Sequence, residues 1–237
     1  MQFLPKKKLP MIKKSLYFLL TSALLLLTAC TENKYEVHQT YFYPQYPSGM
    51  NFFADQQSDT IHVVSYDSWT ALTATSWLSI SPESEEIPVG YIGNTRLTIK
   101  AETNTTGKNR TGLLQVKSYS NIGMMINQSH WLNIEHPRPI YNASVDFASK
   151  EATFKMNLFA HTADTTLIFT VYQDAATLVS DADWFVPKAG SFEKGKHEVS
   201  ITVTPNTSNQ ERTAKLTLTS GGISTPIQIV QQAKKEE

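Results

Sequence analysis

A thirteen-residue stretch occurs twice in this chain. "NTTGKNRTGLLQV" runs from Asn104 to Val116 and "NTSNQERTAKLTL" from Asn206 to Leu218, each placing an Arg-Thr pair before an alternating strand, 102 positions apart. Aligning Arg110 with Arg212 sets Leu97 over Val199, Ile99 over Ile201, Leu114 over Leu216 and Val116 over Leu218. Upstream, Trp77-Leu78 matches Trp184-Phe185 once the first copy is given five extra residues around "SPESEEIPVG". Downstream, "MMINQS" matches "IQIVQQ", each ending a strand on Gln. A repeat of this length is a domain duplication rather than a solenoid period. The chain must therefore fold as two copies of one unit, and a residue that both copies keep is explained by the fold before it is explained by a ligand.

The period within each copy is two. Phe154, Met156, Leu158 and Ala160 alternate with Lys155, Asn157 and Phe159; Leu167, Phe169 and Val171 share one face, as do Val199, Ile201 and Val203, and Leu97, Ile99 and Ala101. Turn residues return every 8 to 12 positions, the spacing of a β-sandwich, and no segment carries the pattern of a long amphipathic helix. The expectation is all-β, with two tandem immunoglobulin-like sandwiches.

The N-terminal segment is set apart from this pattern. "MIKKSLYFLLTSALLLLTAC" has a basic start at Lys13 and Lys14, an apolar run from Leu16 to Leu27, and a small-residue cleavage site, Leu27-Thr28-Ala29-Cys30. The run falls short of the ~20 residues that span a bilayer. The site ends in the chain's one cysteine and resembles a bacterial lipoprotein box, which implies acylation of Cys30 and a membrane partner through that anchor. Cleavage removes Lys6, Lys7, Lys8, Lys13 and Lys14, so 21 basic and 21 acidic residues become 16 and 21, a net charge near −5. That balance argues against nucleic acid or an anionic membrane surface as a partner. The expected divisions are a signal peptide at 1–29, the lipidated Cys30 and a tether at 30–49 including "YFYPQYPSG", a first sandwich at 50–136 and a second at 137–237, with "EHPRPIY" as the boundary.

Trp77-Leu78, the strand-loop-strand around Asn104 and Arg110, and the closing Gln128 resemble the BACON domain, an immunoglobulin-like β-sandwich common in Bacteroidota surface and periplasmic proteins. The first copy fits across roughly 51–129, including Ser68-Trp69. The second fits from Asp183 to Gln232, because "TLIFTVYQDAATLVSDADWF" has no aromatic where the first has Trp69. The resemblance implies the immunoglobulin-like fold and a carbohydrate-associated setting in the cell envelope, with polysaccharide or an outer-membrane glycan-uptake complex as partner.

Candidate site residues divide by whether the repeat keeps them. Arg110 and Arg212 occur in both loops and are expected to tie loop carbonyls together, since a wide hairpin leaves acceptors unpaired and Arg brings five donors. Trp77 and Trp184 also correspond and are expected in the cores. Trp69 and Trp131 have no counterpart, and with Tyr141 they are the candidate aromatic platform for a sugar ring. The alternative is a packed role, which the resemblance implies for Trp69 because that position is often a packed aromatic in the family, and which stands level with the platform for Trp131. Catalysis finds little support. The six histidines lack tight ligand spacing, no Cys remains for zinc, and no nucleophile or phosphate-loop motif occurs. Glu83, Glu85 and Glu86 read as a solvated charge run, and Asp181 and Asp183 fall short of a calcium shell. No metal or cofactor is expected. Asp59-Thr60-Ile61 and Asp164-Thr165-Thr166 fit the O-glycosylation pattern of exported Bacteroidota proteins. The expected function is that of a lipid-anchored, non-catalytic envelope protein with weak glycan binding; the rival is a structural spacer or protein-interaction module.

Overall fold

The computed structural model describes residues 38–135 and 154–235, which belong to one unit, His38–Glu237. The signal, Cys30, Tyr141 and the proline-bearing boundary lie outside the described residues. All regular structure among the described residues is strand, as the period of two requires.

The first sandwich is built from β1 (Thr40–Tyr43), β2 (Met50–Phe52), β3 (Ser58–Ser65), β4 (Trp69–Leu72), β5 (Leu78–Ser81), β6 (Ser84–Glu85), β7 (Gly93–Ala101), β8 (Arg110–Lys117) and β9 (Ile122–Gln128). One sheet runs β1-β3-β7-β5 and the other β2-β9-β8-β4-β6. Ile61, Val63, Leu97 and Ile99 from the first meet Leu114, Val116, Met124 and Ile126 from the second in one buried cluster. Between them every second residue faces out, the alternation of half-buried antiparallel sheets.

The second sandwich comprises β10 (Asn133–Glu135), β11 (Phe154–Leu158), β12 (Asp164–Ser180), β13 (Phe185–Pro187), β14 (Ser191–Val203), β15 (Arg212–Ser220) and β16 (Ile223–Gln231). Its organising element is β12, 17 residues long. β12 pairs with β14 from Asp164 to Val171 and, after a register shift, from Ala175 to Thr177, and it pairs with β15 from Ala176 to Ser180. One bulged strand thus does what β3 and β4 do as two. The remaining correspondences follow: β10 lies on β12 as β1 lies on β3, and β11 runs parallel to β16 as β2 runs parallel to β9.

These pairings correct the expected divisions at both starts. Thr40–Tyr43, expected in the tether, is a full strand of the first sandwich. Trp131, Leu132 and Ile134, expected in the first sandwich, lie in the second core with Leu167, Phe169 and Ile201. Each copy opens on a strand of three or four residues, too short to show a period, and each is followed by proline within two residues. Proline marks the end of that strand here, and taking it for the end of the domain displaces the boundary.

Candidate functional site

The duplicated loops contain the same clasp twice. Asn104 Nδ2 donates to the carbonyls of Lys108 (2.8 Å) and Ser129 (2.9 Å), while its Oδ1 accepts from the Thr106 N–H and hydroxyl. Asn206 does the same with Gln210 (2.8 Å), Gln232 (3.0 Å) and Ser208. Arg110 Nε donates to Gln128 Oε1 at 2.8 Å and its Nη2 to the Glu102 carbonyl at 2.6 Å. Arg212 Nε donates to Gln231 Oε1 at 2.8 Å and its Nη2 to the Thr204 carbonyl. Each glutamine then turns its Nε2 onto strand-end carbonyls: Phe53, Ala54 and Glu102 in one copy, Phe159 and Ala160 in the other. These acceptors lie at strand ends, where each of Phe53, Ala54, Phe159 and Ala160 also takes one backbone N–H, from Gln56, Asn104, Thr162 and Asn206, and the glutamine fills remaining acceptor capacity.

Each arginine also stacks on a tryptophan. The Arg110 guanidinium lies 4.3 Å from the Trp77 ring centre and Arg212 lies 4.3 Å from Trp184. Trp77 and Trp184 are half-buried and pack against the cores from outside. The expectation of two core tryptophans is corrected to this extent: one face of each indole covers the core and the other carries the arginine.

The candidate sugar platform fails at both tryptophans the structure describes. Trp69 is 3% exposed and Trp131 6%. Trp69 faces the first core and its Nε1 donates to Glu85 Oε2, which also accepts from the Thr95 hydroxyl. Trp131 meets Phe154 edge-on at 5.5 Å and is covered by His130 at 4.0 Å. Neither indole has a free face for a pyranose. Breaking the repeat does not free either tryptophan for a ligand, because each fills a space special to its own place. The tertiary reason for Trp69 is visible opposite it. Its equivalent is Ala176, and Phe192 stands directly across the ladder from Ala176 and meets Phe169 edge-on at 5.1 Å. The aromatic has moved to the neighbouring strand. Thr165, in the second candidate modification sequence, is buried in β12, and Thr60 in the first is half-buried in β3.

A different surface has the character sought from Trp69 and Trp131. Beside β1, a groove of about 560 Å³ is lined by Tyr41, Gln45, Tyr46, Ser48, Ile122 and Met125, with Phe42 at its base. Pro47 sits second in a turn closed by Gly49 N–H to Tyr46 C=O (3.0 Å), which holds Tyr46 out into solvent. Gly49 has φ of +86°, and a Cβ there would stand 2.4 Å from the Met125 carbonyl oxygen, so this floor accepts only glycine. No side chain lining the groove carries a charge at neutral pH. The sequence signal is "YFYPQYPSG", legible as aromatic and turn-forming but equally fitting for a tether.

The two sandwiches meet through a polar junction. The Tyr172 N–H, in the β12 bulge, donates to Asp55 Oδ2 at 2.9 Å, and Gln173 Nε2 donates to Thr103 Oγ1. The Asp55 side chain is buried and its Oδ1 has no hydrogen-bond partner. Burial pushes its carboxyl above the ordinary value, against the pull of the backbone N–H groups of Tyr172, Asp55 and Gln173. Elsewhere, Asp181 is tied to β15, its Oδ1 accepting the Lys215 N–H at 2.7 Å and its own N–H donating to the Lys215 carbonyl at 3.1 Å. No group of three or more metal-ligating side chains gathers among the described residues.

Two sandwiches joined end to end, each with an Asn-Arg-Gln clasp, define a tandem immunoglobulin-like protein. The BACON family, described as a putative binding domain, N-terminal, matches residues 67–129 and 174–232, just over half of the chain. The chain belongs to this family. The matches begin near β4 and at the β12 bulge, so the first strands of each copy lie outside them. No match is found among curated proteins. Among solved structures, a Bacteroides ovatus GH5 xyloglucanase in complex with a XXXG heptasaccharide is 23% identical with a TM-score of 0.32, over 34% of this chain and 17% of that one. A protein from Bacteroides thetaiotaomicron is 13% identical with a TM-score of 0.27, over 43% of this chain and 94% of that one. A protein from Porphyromonas gingivalis W83 is 9% identical with a TM-score of 0.27, over 81% and 99%. The chain therefore spans less than a fifth of the xyloglucanase, and overlaps this partial carry no argument about activity.

Proposed function

We propose that this protein is a non-catalytic binding protein of the cell envelope, acylated at Cys30 and held at the outer membrane, which engages neutral polysaccharide weakly through the groove beside β1. The observation that carries the reading is the groove's lining: tyrosine rings and a methionine for the C–H face of a sugar, Gln45 and Ser48 for its hydroxyls, and no charge. A single shallow platform binds in the millimolar to micromolar range, where contact area decides little. Display of many copies on a membrane raises avidity without new contacts. The setting that fits such a protein is glycan acquisition, in which it would present chains to an uptake complex.

Retention in native gels cast with plant, mucin and host polysaccharides tests the groove. Wild type should be retarded by at least one neutral glycan, and Tyr46→Ala should lose that retardation with an unchanged melting curve, because Tyr46 is exposed. A spacer role is the second reading, favoured by the polar junction that couples the sandwiches. Absence of retardation across a broad panel would select it. Incorporation of a fatty-acid analogue into wild type but not Cys30→Ala tests the anchor separately.

A further inference from the structure

The end of the first sandwich that receives the chain from the N-terminus carries an apolar tip. Val89 is 85% exposed, Tyr91 68%, Ile92 57% and Tyr119 75%. Val89 and Tyr91 flank Gly90, whose φ of +84° and the Tyr91 N–H to Pro88 C=O bond (3.1 Å) make a tight turn. The five residues that the first copy has beyond the second fall in this region, so the tip has no equivalent on the other sandwich. Large aliphatic side chains at the apex of a closed turn gain nothing from the fold, and their clustering marks a contact surface.

The position of the tip says what it touches. The tip is braced by the turns of the same end: Ile87 N–H donates to Ser68 Oγ, Tyr66 N–H to the Gln39 carbonyl, and Ser120 Oγ to the His38 carbonyl. Tyr119 stacks on His38 at 4.0 Å. Cys30 precedes His38 by eight residues, a covalent reach of at most about 26–29 Å. A membrane holding an acyl chain on Cys30 is thus within reach of this end. The clasp loop of the first copy lies instead at the junction, where Thr103 meets Gln173, and its repeat around Asn209 lies at the corresponding end of the second sandwich. Tyrosine prefers the membrane–water interface, and aliphatic side chains enter below it. The charges nearby are few and of mixed sign, with Asp67 paired to His38, and Glu86 and Lys117 exposed. No basic cluster calls for anionic lipid.

We propose that Val89, Tyr91, Ile92 and Tyr119 dock into the zwitterionic headgroup region of the membrane that holds the anchor, setting the sandwich pair upright on it. This rests on acylation of Cys30. The anchor retains the protein but leaves it free to tumble; the tip removes that freedom and turns the groove beside β1 sideways, open to solvent.

The test uses the acylated full chain in phosphatidylethanolamine–phosphatidylcholine vesicles. Acylated Cys30 carries a thioether, so Val89→Cys introduces a single labelling site for a polarity-sensitive fluorophore, and Asn209→Cys supplies the distant control. The expected result is blue-shifted emission and loss of iodide quenching at position 89, with water-like emission at 209. In Val89→Asp/Ile92→Asp, flotation with vesicles should persist while a fluorophore at Tyr119→Cys becomes quenchable. Water-like emission at position 89 in protein that floats overturns the tip and leaves the anchor standing. Protein that does not float overturns the anchor and the tip with it. A shift at 89 that appears only at high surface density assigns the tip to a second copy and overturns the lipid assignment.

Discussion

The two sandwiches agree where loops must be closed and differ where cores must be filled. Asn104 and Asn206, Arg110 and Arg212, Gln128 and Gln231, and Trp77 and Trp184 make the same contacts at nearly the same distances. Between β3 and β4 the first copy turns through Tyr66–Ser68 and brings in Trp69, whereas the second continues through a bulge as the single strand β12 and has Ala176. Loop closure is a local constraint, and core filling is not. A wide hairpin loop always presents the same carbonyls, so the same donors return. Core volume constrains only the sum, and Phe192 can supply from one strand what Trp69 supplies from another.

The strongest way to break the comparison is at that substitution. Trp69→Ala should destabilise the first sandwich by about 3–5 kcal/mol, the usual cost of a buried aromatic, read as a lowered denaturation midpoint. Phe192→Ala should cost less, since Phe192 is only partly buried. Ala176→Trp in the second copy meets a site already filled from β14 and should destabilise by about 1–3 kcal/mol, through overpacking. Equal tolerance of tryptophan at 69 and 176 would show that the cores are interchangeable after all.

The clasps should respond alike. Arg110→Ala and Arg212→Ala each leave a glutamine oxygen without its donor and remove a stacked cation, and Arg212→Ala also strips the Thr204 carbonyl, whereas the Glu102 carbonyl keeps Gln128 Nε2; each loss should be about 1–3 kcal/mol. The two share no partner, so the double variant should lose the sum within about 0.5 kcal/mol. A marked departure from additivity in chemical denaturation would mean that one clasp supports the other through the junction.

The junction gives the smallest effect and the sharpest sign. The Asp55 carboxyl is raised by burial in the folded protein. Its contribution therefore favours the fold fully below the ordinary value of 3.8 and is lost as pH rises through the raised value. Asp55→Asn keeps an acceptor for the Tyr172 N–H and removes the buried charge. Wild type and variant should melt alike in acid and diverge towards neutral pH, with the variant more stable by about 0.5–1.5 kcal/mol. A divergence of opposite sign would mean that the charged carboxylate is needed to hold the β12 bulge.

The sequence by itself determined the class of fold, the duplication and the arginine of each clasp, while the parts played by its asparagine, glutamine and stacked tryptophan came from the structure. These rest on short-range rules: side chains alternate across a strand because successive Cβ atoms point to opposite faces, and a hairpin loop leaves a predictable set of acceptors. Leu97 over Val199 and Arg110 over Arg212 were legible for that reason. Tertiary structure alone decided where the copies begin, because Thr40–Tyr43 and Asn133–Glu135 are strands only by virtue of the neighbours they pair with. It also decided which aromatics face solvent. Alternation tells which face of a strand a residue is on, but whether that face is covered depends on what stands across the sheet, and for Trp69 and Trp131 something does. For Tyr46, carried on a turn beyond the edge of both sheets, nothing does.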